Sequence, residues 1–134
     1  MATLTDKQRA FLTEPYVGVA TTLRDDGSPH STVVWVDVPD EGGIGFNTAR
    51  GRAKERHLKK DPRVSLLVVD PQNPYRWVAV SGRGELVDEG SDEQIDRLAK
   101  VYLGKDTYPW RSAEEQRVSV RITPEQVDSA GFDD

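Results

Sequence analysis

Ile44-Gly45-Phe46-Asn47-Thr48-Ala49-Arg50-Gly51-Arg52-Ala53-Lys54-Glu55-Arg56-His57-Leu58-Lys59-Lys60-Asp61-Pro62-Arg63-Val64-Ser65-Leu66-Leu67-Val68-Val69-Asp70 holds the change of pattern on which the fold turns. Ile44 to Thr48 reads as a strand. Gly51 to Lys60 is then rich in Arg, Lys, Ala, Glu and Leu, all good helix formers, until Asp61-Pro62 stops the helix. Arg63 to Asp70 returns to strand, with Val64, Leu66 and Val68 on one face and Leu67 and Val69 on the other. A strand apolar on both sides is expected to be buried on both.

Working outward, strands prevail. Thr5 and Gln8 form a capping-box pattern for a short helix that carries Phe11 and Leu12, ends before Pro15 and lids the sheet. Tyr16 to Leu23, the Asp26-Gly27 turn and His30 to Val38 read as a β-hairpin. In its second strand Thr32, Val34, Val36 and Val38 face the core, opposite Ser31, Val33, Trp35 and Asp37. A turn over Pro39 to Gly43 leads to Ile44, as if the meander continued. Beyond the central stretch, a Pro71 to Pro74 loop precedes a long strand from Tyr75 to Asp88, bent near Gly82 and Gly84. Ser91 and Gln94 repeat the capping-box pattern for a helix to about Leu103, with Ile95, Leu98, Ala99 and Tyr102 as its buried stripe. After a loop at Pro109-Trp110, Gln116 to Thr123 turns Val118, Val120 and Ile122 inward and Pro124 ends it; the acidic tail from Asp128 to Asp134 is expected to fray. Six strands joined largely by hairpin-length turns, with helices inserted, describe a mainly β, six-stranded antiparallel barrel with a few short helices.

Composition narrows the chemistry. The 134 residues are expected to form one domain, 1–134. Zero cysteines exclude disulfides, a thiol nucleophile and Cys-based zinc or iron–sulfur sites, and fit the cytoplasm. No run is long and apolar enough for a membrane helix, and the N-terminus lacks the layout of a secretory signal. The two histidines, His30 and His57, lie in different elements, which rules out a multi-histidine metal site. Gly82-Arg83-Gly84 is no dinucleotide turn, Gly104-Lys105-Asp106 no phosphate loop, and no serine sits in a nucleophile elbow. An enzyme of this composition takes its chemistry from a cofactor, and no catalytic residue stands out.

The net charge of −5 argues against a nucleic-acid coat. Yet six basic residues against one acid lie between Arg50 and Lys60. A strand ending in Asn47 and Thr48 that opens such a helix offers backbone N–H groups, a dipole end and the donors of Arg52 and Lys54 to a phosphate. A solvated helix face is the plainer alternative. Trp35, and Tyr75 with Trp77, could stack on a flat cofactor or equally fill an interface.

Thr21-Thr22-Leu23 with Asp26-Gly27-Ser28-Pro29-His30, Phe46-Asn47-Thr48 with Arg52-Ala53-Lys54, Leu58 with Asp61-Pro62-Arg63-Val64-Ser65-Leu66, and Val80-Ser81-Gly82 resemble the pyridoxamine-5′-phosphate-oxidase-like split β-barrel proteins, from about Leu12 to Pro124. Arg52-Ala53-Lys54, Asn73-Pro74-Tyr75-Arg76-Trp77 and Tyr102-Leu103-Gly104 before Tyr108-Pro109 look most like the branch dependent on the deazaflavin coenzyme F420. The resemblance implies a flavin-binding split barrel and a homodimer with two cofactors between subunits. Arg52 and Lys54 fall on phosphate-binding positions, with Thr48 and Arg50 beside them. Val33, Trp35 and Asn47 would line the ring or ribityl part, and Tyr75 and Trp77 the partner-side wall. The chain lacks the C-terminal Arg and His pair of pyridoxamine-phosphate oxidases, so synthesis of pyridoxal phosphate is not expected.

The function so implied is reduction of a C=C or C=N bond of a small organic substrate by hydride transfer from the deazaflavin. An FMN-dependent oxidase or flavin reductase, and a non-catalytic F420-binding protein, are the alternatives. No nucleic acid or membrane is expected as partner.

Overall fold

In a computed structural model, which describes residues 2–39 and 42–132, the elements are α1 (Asp6–Leu12), β1 (Gly18–Leu23), β2 (Pro29–Val34), β3 (Ile44–Ala49), α2 (Ala53–Lys60), β4 (Arg63–Asp70), β5 (Asn73–Val87), α3 (Ser91–Leu103) and β6 (Arg117–Ala130). The strands form one antiparallel sheet in the order β2-β1-β4-β5-β6-β3 that curls into a half-barrel. Its two edges approach at Asp37 and Gly45, each donating its N–H to the other's carbonyl at 2.8 Å. No described helix is long and apolar enough to cross a membrane.

β3 therefore does not continue the meander. It lies at the far edge on β6, with Phe46 opposite Val120 and Ile44 opposite Ile122. Local turn signals report hairpins, whereas this pairing is set by burying Ile44, Phe46, Val118, Val120 and Ile122 together. Glycine is required where the strands meet, since a Cβ on Gly45 would lie 2.2 Å from the Val120 carbonyl oxygen.

The inner face carries the core: Phe46, Ile44, Leu66, Val68, Val78, Val80, Val120 and Ile122 are almost wholly buried. α1 lids it with Phe11 and Leu12, and the Thr5–Gln8 capping box forms at its start. β4 departs from the expected double burial. Val64, Leu66 and Val68 are buried, but Leu67 and Val69 are exposed in the single chain. Register places Val33, Val19, Leu67 and Ala79 in one row across the outer face, with Val69 beside Trp77 in the next.

Two further differences lie in the C-terminal third. Pro124 does not end β6, because a register shift at Ser81/Gly82 absorbs it and pairing resumes to Trp77–Ala130. The tail is consequently ordered through Ala130, and Phe132 packs edge-on against Phe11 at 5.3 Å; Asp133 and Asp134, like Asp40 and Glu41 of the expected turn, lie outside the described residues. In α3, Gly90 in the left-handed region (φ 80°) occupies the N-cap position, so Ser91 is no cap. Its hydroxyl donates instead to the carbonyls of Asp88 and Arg117, at 2.8 and 3.0 Å.

Candidate functional site

The β3–α2 connection turns at Gly51, whose φ of 89° glycine adopts without strain. Four residues on, Glu55 is buried in the first helical turn. Its carboxylate accepts from the Gly51 N–H at 2.9 Å and from Arg50 at 3.2 Å, with Lys59 at 3.4 Å. The Gly51 N–H holds the Glu55 carboxyl below its usual range against the effect of burial. A resident carboxylate thus already answers the positive end of α2, and any anion site rests on side chains. Arg50 is engaged as well: it grips Asp88 through two hydrogen bonds of 3.0 and 2.7 Å, which raises its own pKa, and it does not line the cavity described next.

That cavity, about 190 Å³, is lined by Val33, Trp35, Asn47, Thr48, Arg52 and Lys54, six of the nine residues singled out in the sequence. Lys54 donates to Thr32 Oγ1 at 3.0 Å. Burial, then the neighbouring charges of Arg52 and Arg117, push its pKa down from 10.5. Arg52 pairs with one oxygen of Glu115, and buried Arg117 with the other at 3.1 Å. Two guanidinium groups therefore share one carboxylate, with the Lys54 ammonium close enough to feel both.

The polar side of the cavity is held by a network. Gln94 Nε2 donates to Asp37 at 3.0 Å, and Arg97 donates to the same oxygen at 2.7 Å. Gln94 Oε1 accepts from Ser119 and from Asn47 Nδ2, both at 2.8 Å, and Nδ2 also donates to the Ser91 carbonyl at 2.9 Å. With its amide so oriented, Asn47 keeps a buried Oδ1 with no partner, as does the Thr48 hydroxyl. An unpaired buried polar atom costs about 1–3 kcal/mol, so these two atoms favour a ligand that carries O–H or N–H groups.

An aromatic wall completes the cavity. Trp35 stacks on Tyr102 with centroids 5.4 Å apart and planes within 11°; Tyr108 meets Trp35 edge-on at 6.1 Å, and Trp110 meets Tyr108 likewise at 5.7 Å. The Arg117 guanidinium lies 4.8 Å from the Tyr108 ring centre. The Tyr102 hydroxyl accepts from the Val36 N–H and donates to the Tyr16 carbonyl, which fixes the stack. Tyr108 and Trp110 read in the sequence only as parts of a motif and a loop, and nothing there singles out Glu115 and Arg117; none of the four is expected at the site from sequence. Arg117 enters only through its pairing with Ala49, and that pairing is long-range.

Tyr75 and Trp77 do not line this cavity. Tyr75 is 81 % exposed, and Trp77 stands on the outer face of β5 beside Val69. Val33, 66 % exposed, borders the cavity and belongs to the outer apolar row.

The chain is similar to a pyridoxine/pyridoxamine 5′-phosphate oxidase of Citrobacter koseri, 36% identical over 113 residues that cover 84% of this chain and 50% of that protein. One from Burkholderia lata is 31% identical, over 90% of this chain and 55% of its own length. The chain thus spans about half the length of these curated relatives. Among solved structures, an F420 reductase superposes with a TM-score of 0.80 at 26% identity, covering 93% of this chain and 98% of its own. A conserved hypothetical protein of Mycobacterium tuberculosis follows at 0.74 and 28%, covering 95% and 84%. The family model described as pyridoxamine 5′-phosphate oxidase matches residues 4–130, nearly the whole sequence, and the chain belongs to that family.

Proposed function

We propose that this domain is an F420-dependent oxidoreductase acting on a small organic substrate. The observation that carries the reading is the partly desolvated Lys54 ammonium, crowded by Arg52 and Arg117 beside a cavity in which Asn47 and Thr48 keep unpaired polar atoms. A ligand with a phosphate and a polyhydroxylated chain relieves both defects. The similarity to an F420 reductase along almost the whole of that protein supports the choice of cofactor. Arg52 and Lys54 would hold the phosphate, and Arg50 would brace the turn that presents them. Asn47 Oδ1 and the Thr48 hydroxyl would meet ribityl or ring donors, and Trp35 with Tyr108 would shield the ring from water. When bound, the deazaflavin supplies a hydride to an electron-poor C=C or C=N bond.

At about 190 Å³ the cavity is smaller than the roughly 300–1,000 Å³ usual for such ligands. A second copy of the chain, laid on the apolar face of Val19, Val33, Leu67 and Val69, would extend it and bring its own Tyr75 and Trp77 as the opposite wall. FMN in the same groove is the second reading, favoured by the oxidases among the sequence relatives. The test is turnover of reduced F420 against a panel of electron-poor alkenes and imines, followed by the cofactor's fluorescence. Acceptor-dependent oxidation that is lost in Arg52→Ala/Lys54→Ala supports the reading. Binding without turnover across the panel makes the domain a carrier.

A further inference from the structure

The other flank of α2 borders a cleft of about 820 Å³, more than four times the volume of the cavity above. The β1–β2 turn supplies Arg24, Asp25 and Asp26; α2 supplies Arg56, His57, Lys59 and Lys60, and β2 adds His30. Ala53, between Arg52 and Lys54 of the first site, lines this cleft as well. The carboxylates leave its charge uncompensated. Lys60 pairs with Asp25 at 3.1 Å, both largely exposed, and Lys59 points to Glu55. Arg24 donates to the Pro29 carbonyl at 2.6 Å and Arg56 to the Gly51 carbonyl at 3.0 Å; among the described residues neither guanidinium has a carboxylate partner. Asp26 is turned to the Ser28 hydroxyl at 2.6 Å.

Two imidazoles stand within this positive field, edge to face with centroids 5.2 Å apart. His57 Nδ1 is paired with Thr22 Oγ1 at 2.8 Å, whereas His30 Nδ1 is buried without a partner. Burial pushes the His57 pKa down, and His30, Arg56 and Arg24 push it further, against a smaller opposing effect of Asp25. A cleft roomy enough for a ligand, with two guanidinium groups that have no carboxylate partner among the described residues and an orphaned ring nitrogen, calls for negative charge.

We infer that this cleft is a second anion-binding site, taking a phosphate- or carboxylate-bearing group between Arg24 and Arg56 beside His30. It stands apart from the choice of cofactor in the first cavity. The anion is either the end of a long ligand whose remainder lies in that cavity, passing Ala53, or a separate molecule.

The experiment titrates the whole chain with tripolyphosphate and with triglutamate by calorimetry, in an Arg52→Ala/Lys54→Ala background that disables the first site. Binding of at least one probe should persist, and the His57 titration midpoint, read from its ring proton resonances, should rise on saturation. Arg24→Ala/Arg56→Ala should weaken binding at least tenfold, and Arg24→Lys/Arg56→Lys should restore most of it. Loss of binding in the background variant, indifference to the Arg24 and Arg56 substitutions, or no binding of either probe overturns the inference. In the unsubstituted protein, displacement of the probe by F420 or FMN supports the site and assigns the anion to the cofactor; simultaneous binding supports it and assigns a separate ligand.

Discussion

Lys54→Met separates a residue kept for binding from one kept for folding. Methionine matches the length of the lysine stem and removes the charge that burial and two guanidinium neighbours disfavour. A hydrogen bond to a charged partner is worth about 1.5–3 kcal/mol, so cofactor Kd should rise roughly 10- to 150-fold. Stability should respond differently. The variant loses the 3.0 Å hydrogen bond to Thr32, about 1 kcal/mol, and gains relief from desolvation and like charge, so Tm should move by less than about 4 °C either way. The pH dependence has a definite sign. Because Lys54 holds its proton less tightly when folded than when unfolded, the unfolded chain binds more protons between the lowered value and 10.5, and stability of the empty protein rises with pH across that window. Binding needs the ammonium, so affinity falls through the same lowered value. Both trends should flatten in Lys54→Met. Fluorescence titration and thermal unfolding over pH read these quantities; an unchanged Kd, or a Tm loss well beyond about 4 °C, would refute the reasoning.

Glu115→Gln should tighten phosphate-bearing ligands by roughly 3- to 10-fold, because the carboxylate between Arg52 and Arg117 occupies the charge that a ligand would meet; weaker binding in the same titration would make Glu115 a positioning group instead. Gln94→Leu should cost about 2–4 kcal/mol in denaturant unfolding, since Asp37, Asn47 and Ser119 each lose a buried partner. A loss below about 1 kcal/mol would show that water replaces the amide. Val33→Glu/Leu67→Glu should leave each chain folded and yield monomers by light scattering; a persistent dimer would place the interface elsewhere.

What the sequence made legible follows the range of the forces involved. The Thr5–Gln8 box, the Asp61-Pro62 stop and the inward side chains of Val34, at the end of β2, and Val36, just beyond it, are decided within a few residues, and the structure has them. The β3–β6 pairing, the passage of β6 through Pro124 and the seating of Phe132 against Phe11 depend on partners tens of residues away. No periodicity encodes them. Likewise, the crowding of cations before α2 pointed to an anion, but not to Glu55, which reaches back to Gly51 and Arg50 and takes up the helix end. Trp35 was legible as a ring off the core face; its stack on Tyr102 required α3 to be placed first. Leu67 and Val69 read as buried because alternation reports apolarity without naming the cover, and among the described residues of one chain they stay partly exposed.

The most direct measurement is a side-by-side fluorescence titration of the protein with F420 and with FMN. The account predicts F420 binding in the micromolar range or tighter, at least tenfold tighter than FMN. Tighter binding of FMN would contradict the deazaflavin assignment, and failure of both to bind would contradict the cofactor site itself.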